Sequence, residues 1–196
     1  AIFTGLILGW LICLGLNSPQ RLVRCFCKIY VSFYRGTPLL VQLILIFYAL
    51  PAVGITLSPL LAAVVALSLN TAAFQGEILR AGFNMLPKGQ LEAARDFGFS
   101  AAQTLFYIQM PQVLRTMMPA LINETIDIIK NSALVSVVAV HELMRVTQTL
   151  ASTTYRPLEF YTACGLLYFL TSWGLSIAGV RLEKNRSSSA KRVLAK

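Results

Sequence analysis

Long apolar runs without a charged side chain constrain this chain more than any other feature. The stretches "AIFTGLILGWLICLGL", Ala1–Leu16, and "LLVQLILIFYALPAVGITL", Leu39–Leu57, contain no Asp, Glu, Lys or Arg. A helix needs roughly 20 apolar residues to cross a bilayer core. Charged residues are 13% of the 196, about half the share of an ordinary soluble domain. The mean hydropathy is +0.67. These values predict one all-α integral membrane domain with about five transmembrane helices. The candidate spans are Ala1–Leu16, Leu39–Leu57, Pro59–Phe74, a fourth between Val113 and Val140 that polar residues interrupt, and Leu158–Leu182. The first is short for a span and starts inside an apolar run without Met or a signal peptide, so a truncated first helix is expected.

The basic residues lie between and after the apolar runs. A net charge of +9 therefore indicates membrane topology rather than nucleic-acid binding. Arg21, Arg24, Lys28 and Arg35 separate the first two spans, and Arg80, Lys88, Arg95 and Arg115 fall between the third and fourth. The link Pro51–Ser58 has no charge, and only Arg145 and Arg156 fall between the fourth and fifth. The alternation predicts an outside N-terminus and a cytoplasmic C-terminus. Residues 1–182 read as the membrane domain, with a cytoplasmic loop at about 75–111. Residues 183–196 read as a basic, Ser-rich, flexible cytoplasmic tail, solvated or lying on anionic headgroups. Cys13, Cys25, Cys27 and Cys164 show no metal or disulfide spacing and read as small apolar residues.

The loop "EAARDFGFSAAQTLFYIQMP", Glu92–Pro111, is polar amid apolar sequence. Pro87 suits a helix start, and Leu91–Phe97 has helix-forming character. Gly98 suits a left-handed turn out of that helix. Ser100-x-x-Gln103 is a capping box opening the next helix, which Pro111 interrupts or ends. Glu92-Ala93-Ala94, three residues, Gly98, nine residues, Ile108, one residue and Met110-Pro111 resemble the EAA motif of ABC importer permeases, with Met110 in place of Leu. "YRGTPLLVQL", Tyr34–Leu43, "PKGQLEAARDFG", Pro87–Gly98, and "IKNSALVSVVAVHEL", Ile129–Leu143, resemble segments of polar amino-acid permeases of the histidine, glutamine and arginine type. At "NTAAFQGEILR", Asn70–Arg80, Phe74 stands where such permeases more often carry Tyr.

The resemblance implies a type I importer permease of the bacterial inner membrane. Glu92, Ala93, Ala94 and Gly98, with Ile108 and Pro111, would couple it to an ATPase subunit. That subunit would bind ATP and Mg, since this chain carries no G-x-x-x-x-G-K-[ST] and no cofactor of its own is expected. An extracytoplasmic substrate-binding protein and a second permease chain, identical or a sister, are the other implied partners. The bland alternative for Glu92–Pro111 is a helical hairpin that only closes a loop.

Ionisable residues within a bilayer are costly and usually face a bundle interior or a wet path. Glu124, Asp127 and Lys130 recur at three-residue steps on one helical face, with Asn123, Asn131 and Ser132 nearby. That face could hold the ammonium and carboxylate of an amino acid, or form a self-neutralising network. Arg35 and Thr37 open the second span beside Pro38, with Arg35 snorkelling to headgroups or gating. Glu77 and Arg80 could pair, for structure or gating. Gln42 reads as an isolated residue able to bond across helices. His141 has no metal or catalytic partner. Two other classes compete: an ion- or proton-coupled carrier or channel using Glu124, Asp127 and Lys130, and an intramembrane enzyme, for which no nucleophile–base motif is visible. The charge pattern makes one direct prediction. A reporter fused after Lys196 should be active only in the cytoplasm and one at Val53–Gly54 only outside; the reverse at either site would refute the orientation.

Overall fold

The computed structural model describes the backbone of residues 1–194 and the side chains of residues 1–181. Every regular element among the described residues is helical. Helix α1 is Ile2–Leu16, α2 is Arg21–Gly36 and α3 is Leu39–Ile44. A π turn, Leu45–Ala49, and a 3-10 turn, Leu50–Val53, continue α3 until Gly54 reverses the chain at φ +84°. Helix α4 is Pro59–Asn84, capped by the Ser58 hydroxyl, and α5 is Lys88–Asp96. Helix α6, Ala101–Gln103, runs through a π turn, Thr104–Gln109, into α7, Met110–Asn131. After a 3-10 stretch, Ser132–Val138, come α8, Leu143–Thr154, and α9, Pro157–Leu194.

Several expectations need correcting. The segment between the first two runs is a 16-residue helix, α2, not a loop. Its apolar residues recur at helical spacing but are too interrupted by charge to stand out as a span. It meets the Leu39–Val53 stretch at 109°, across Thr37-Pro38. Proline cannot donate a backbone hydrogen bond and pushes the preceding residue out of the helical region, so the chain must break there. The third run extends ten residues past Phe74 to Asn84. Pro111 does not end its helix. The widened turn before it absorbs the missing N–H, and the helical run continues from Ala101 to Asn131. Glu142 opens an unforeseen helix, α8, by accepting from the backbone N–H groups of Met144 and Arg145. The expected flexible tail begins instead as a continuation of α9 to Leu194; its contact with lipid falls outside the described side chains.

Among the described residues, two helices are long and apolar enough to cross a bilayer alone, α4 and the Pro157–Arg181 part of α9; α2 with Leu39–Val53 makes a third if counted as one bent span. Of the remaining expected spans, α1 is apolar but has 15 residues, and α7 carries Arg115, Glu124, Asp127 and Lys130. Helix α4 is the axis, packed by α1, α2, α3 and α7. Small residues let α1 come close. A Cβ on Gly9 would stand 3.0 Å from Gln75 Cβ and 3.1 Å from the Gly76 nitrogen. Without a hydrophobic drive between helices in lipid, such close packing and interhelical hydrogen bonds hold the bundle. The Thr4 and Ser68 hydroxyls, 2.6 Å apart, add one such bond.

The break between α2 and α3 is held by a buried amide pair. Gln42 Nε2 donates to the carbonyls of Tyr34 at 2.9 Å and Thr37 at 3.0 Å, and to Thr37 Oγ1 at 2.9 Å. Asn70 Nδ2, from α4, donates to Gln42 Oε1 at 2.9 Å. Tyr30 adds a bond from its hydroxyl to the Leu69 carbonyl. Gln42→Leu would strand these partners while keeping apolar volume. Each unsatisfied buried group costs about 1–3 kcal/mol. The purified chain in detergent should therefore melt at a clearly lower temperature than the parent. An unchanged midpoint would show that the amide pair does not hold the bend.

Candidate functional site

Two regions concentrate the polar groups. The first is a cavity of about 550 Å³ between the α2–α3 break, α4 and α7. Its size suits a small-molecule ligand, which typically occupies roughly 300–1,000 Å³. Glu124, Asp127, Lys130 and Asn131 of α7 line it, facing Thr37 and Tyr34 at the break and Asn70 and Phe74 of α4. Three-residue steps on one helix place these α7 groups side by side. Ser132, expected with them, is absent from the lining and donates instead to the Ile129 carbonyl at 2.7 Å. Lys130 Nζ lies 2.6 Å from Asp127 Oδ1, with both side chains about half exposed, at 52% and 55%. The pair is therefore open to the cavity and not sealed in low dielectric. The lining offers carboxylate acceptors, one ammonium and neutral amide and hydroxyl groups, a set that can hold a molecule bearing both charges.

One turn further along α4, beyond Phe74, lies an ion cluster. Arg80 forms a two-pronged contact with Glu77, with Nε–Oε2 at 2.8 Å and Nη2–Oε1 at 2.5 Å. This is the pairing that the three-residue spacing predicts. Arg35 joins it at 3.9 Å from Glu77 Oε1, and its guanidinium stands 5.6 Å from the centre of the Phe74 ring. Arg35 thus makes an inward contact while its side chain stays 45% exposed. The reason is that Phe74 and Glu77, three apart, share a face of α4, and helix α2 delivers Arg35 to both. Phe74 consequently touches the cavity on one side and the ion cluster on the other.

The second region is the short helix α5. Its end is a Schellman motif: the Phe99 N–H donates to the Ala94 carbonyl at 3.0 Å and the Gly98 N–H to the Arg95 carbonyl at 2.9 Å. Gly98 has φ +77°, as its position in the sequence suggests. The capping box at Ser100 and Gln103 is present with both reciprocal bonds. Glu92 and Ala93 face outward, whereas Ala94, 4% exposed, packs against its own chain. Phe97 stands 84% exposed beside them. Gln112 Nε2 bridges to Gln90 Oε1 at 2.9 Å, tying α5 to the start of α7. Ile108 is half-buried in the π turn, and Pro111 is exposed. Gln42, Asn70 and Phe74 carry more of the cavity's architecture than the sequence assigned them. The sequence marks Gln42 as a polar residue among large apolar ones and Phe74 as a departure from Tyr, and singles out nothing at Asn70 itself.

Residues 1–187 match the family described as binding-protein-dependent transport system inner membrane component. An L-cystine transport system permease of Bacillus subtilis is 39% identical over 92% of this chain and 77% of its own length. An arginine transport system permease of the same organism is 37% identical, over 94% and 85%. The crystal structure of an amino acid ABC transporter with histidines superposes with a TM-score of 0.87 at 35% identity, over 94% of this chain and 86% of that one. An inward-facing MetNI methionine ABC transporter superposes at 0.78 with 21% identity, a likeness of fold.

The half-exposed Asp127–Lys130 pair sets a stability expectation. Ion pairs open to solvent contribute about 0–1 kcal/mol. Asp127→Asn alone, and Asp127→Asn with Lys130→Gln, should each leave the melting temperature in detergent close to that of the parent. A collapse on the single change would mean that the pair is sealed from water.

Proposed function

This chain belongs to the family of binding-protein-dependent transport system inner membrane components, and from that premise we propose that it is the membrane-spanning permease subunit of an ATP-driven importer of polar amino acids. The observation that carries the proposal is one continuous helical run. It starts beside the exposed helix α5 and ends at the charged lining of the cavity. Membership of this family favours ATP drive over an ion-coupled carrier. Relatives named for cystine and arginine favour amino acids as cargo.

In this proposal Glu92 and Ala93 touch a partner ATPase, which binds ATP and Mg. Ala94, Gly98, Ile108 and Pro111 set the position of that contact from behind. A zwitterionic substrate, delivered by an extracytoplasmic binding protein, places its ammonium at Glu124 and Asp127 and its carboxylate at Lys130. The Arg35–Glu77–Arg80 cluster closes the cytoplasmic side of the cavity. A second permease chain, the same or a sister, completes the pathway. The chain lies in a bacterial inner membrane with its N-terminus outside; residues 1–182 form the membrane domain, 75–111 the coupling loop and 183–196 the tail. ATP-driven closure of the ATPase pair moves the two α5 helices, and the cavity switches sides.

The test is capture of the ATPase by tagged permease in detergent, read beside permease yield. An exposed charge on a surface helix shifts stability by roughly 0.5 kcal/mol at most, whereas losing one partner of a buried interfacial pair costs about 2–5 kcal/mol. Glu92→Lys and Ala93→Trp should therefore keep the yield and lose the ATPase. Full retention by both variants would remove α5 as the docking element. In proteoliposomes, Asp127→Asn with Lys130→Gln should abolish uptake while the complex still assembles. Full uptake by that variant would remove the α7 pair from the substrate path.

A further inference from the structure

Helix α2 presents a basic face, of which only Arg35 joins the proposed closure, and an exposed apolar face. Arg21, Arg24, Lys28, Ser32 and Arg35 recur at three- and four-residue steps, and the helix contains no carboxylate. On the other face, Leu22, Phe26, Ile29 and Phe33 are 86%, 72%, 64% and 47% exposed. A cavity of about 460 Å³ separates the basic face from α4. Arg24, Lys28 and Ser32 enter it from α2, and Glu77 and Arg80 from α4. Three cations thus meet one carboxylate, and Arg80 already grips that carboxylate through two hydrogen bonds. Arg24 is anchored by a bond from Nη1 to the Ser18 carbonyl at 3.2 Å.

We propose that α2 and this cavity form a headgroup site for an anionic phospholipid of the cytoplasmic leaflet. The recognised chemistry is a phosphodiester: Arg24 and Lys28 supply charge, the guanidinium offers paired donors, and the Ser32 hydroxyl adds a neutral one. The acyl chains run along the exposed Leu22, Phe26, Ile29 and Phe33. Depth agrees with this. Glu77 and Arg80 lie seven and four residues before Asn84, the end of α4, or ~10 Å and ~6 Å along the helix. An amphipathic helix in the interface buries its apolar face by about 5–10 Å. An ATPase surface would cover the basic face and leave the large apolar side chains in water, so lipid is the better occupant. The choice of leaflet rests on the orientation proposed above; the headgroup chemistry does not.

The test is native mass spectrometry of the intact permease–ATPase complex, titrated separately with dioleoylphosphatidylglycerol and dioleoylphosphatidylcholine. The parent should retain the anionic lipid in preference. A basic residue at an anionic surface contributes about fivefold in binding, so Arg24→Gln with Lys28→Gln should remove most of that preference. Lys28→Arg, which keeps the charge, should retain it, and this separates loss of the site from loss of the fold. No preference in the parent, or equal preference in the double variant, overturns the proposal. So does displacement of the lipid by millimolar inorganic phosphate, which would mean a site for a free anion. Loss of the ATPase from the double variant with lipid preference intact would make the basic face a protein contact and also overturn it. Lys196 outside, by the reporter fusions, would overturn the leaflet alone.

Discussion

A broken helix frees carbonyl groups that must find new partners, and much of the arrangement follows from how those groups are satisfied. The break at Thr37-Pro38 turns the chain by 109° and frees the carbonyls of Tyr34 and Thr37. The Gln42 amide serves both, and Asn70 of α4 holds that amide in place. One buried pair thus satisfies the bend and fastens it to the central helix. The bend sets the direction of α2, brings Arg35 over Phe74 and beside Glu77, and leaves Thr37 and Tyr34 on the cavity wall. The Tyr30 bond to Leu69 and the packing of Cys27 and Val31 on Ala73 hold the rest of α2 against α4.

Helix α4 joins features that the sequence separates. Asn70 and Phe74 face the larger cavity, Glu77 and Arg80 form the ion cluster and wall the smaller one, and Gly82 packs against Val113 and Met117 of α7. Such close approach by α1 and α7 requires small residues, and α4 supplies Ala62, Ala63, Ala66, Ala72, Ala73 and Gly76 in its buried set. Packing in lipid depends on shape more than on hydrophobicity. Polar side chains on this helix are therefore held in fixed positions by a dense surround and wall both cavities.

Local signals were legible in the sequence and distant ones were not. Gly98 at positive φ, the capping box at Ser100 and the Glu77–Arg80 pair each depend on residues within four positions, and all three formed. Gln42 read as isolated because its partner Asn70 lies 28 residues away and can be found only through the fold. Arg35 read as a snorkelling residue because nothing local shows that Phe74 and Glu77 will stand across from it. Helix α2 escaped notice for a different reason. Its basic and apolar residues alternate at helical spacing, so no uncharged run marks it as a span.

The continuous run from Ala101 to Asn131 shows how a push at one end could reach the other. At about 1.5 Å per residue, Asp127 lies roughly 40 Å along the helix from Ala101. A straight rod of that length would transmit motion without changing its own shape. This one has two compliant points, the π turn ahead of Pro111 and Pro119 within α7. Gly98 and the Ser100 cap join it to α5 by a short, hydrogen-bonded turn, so movement of α5 enters the rod with little slack. In the proposed cycle, bending at the prolines would convert an axial push into tilt or rotation at the far end. There the Asp127–Lys130 pair is half exposed, whereas Ile128 between them is buried in the core with Leu43 and Ala66, so turning the helix re-aims both charges only by repacking Ile128.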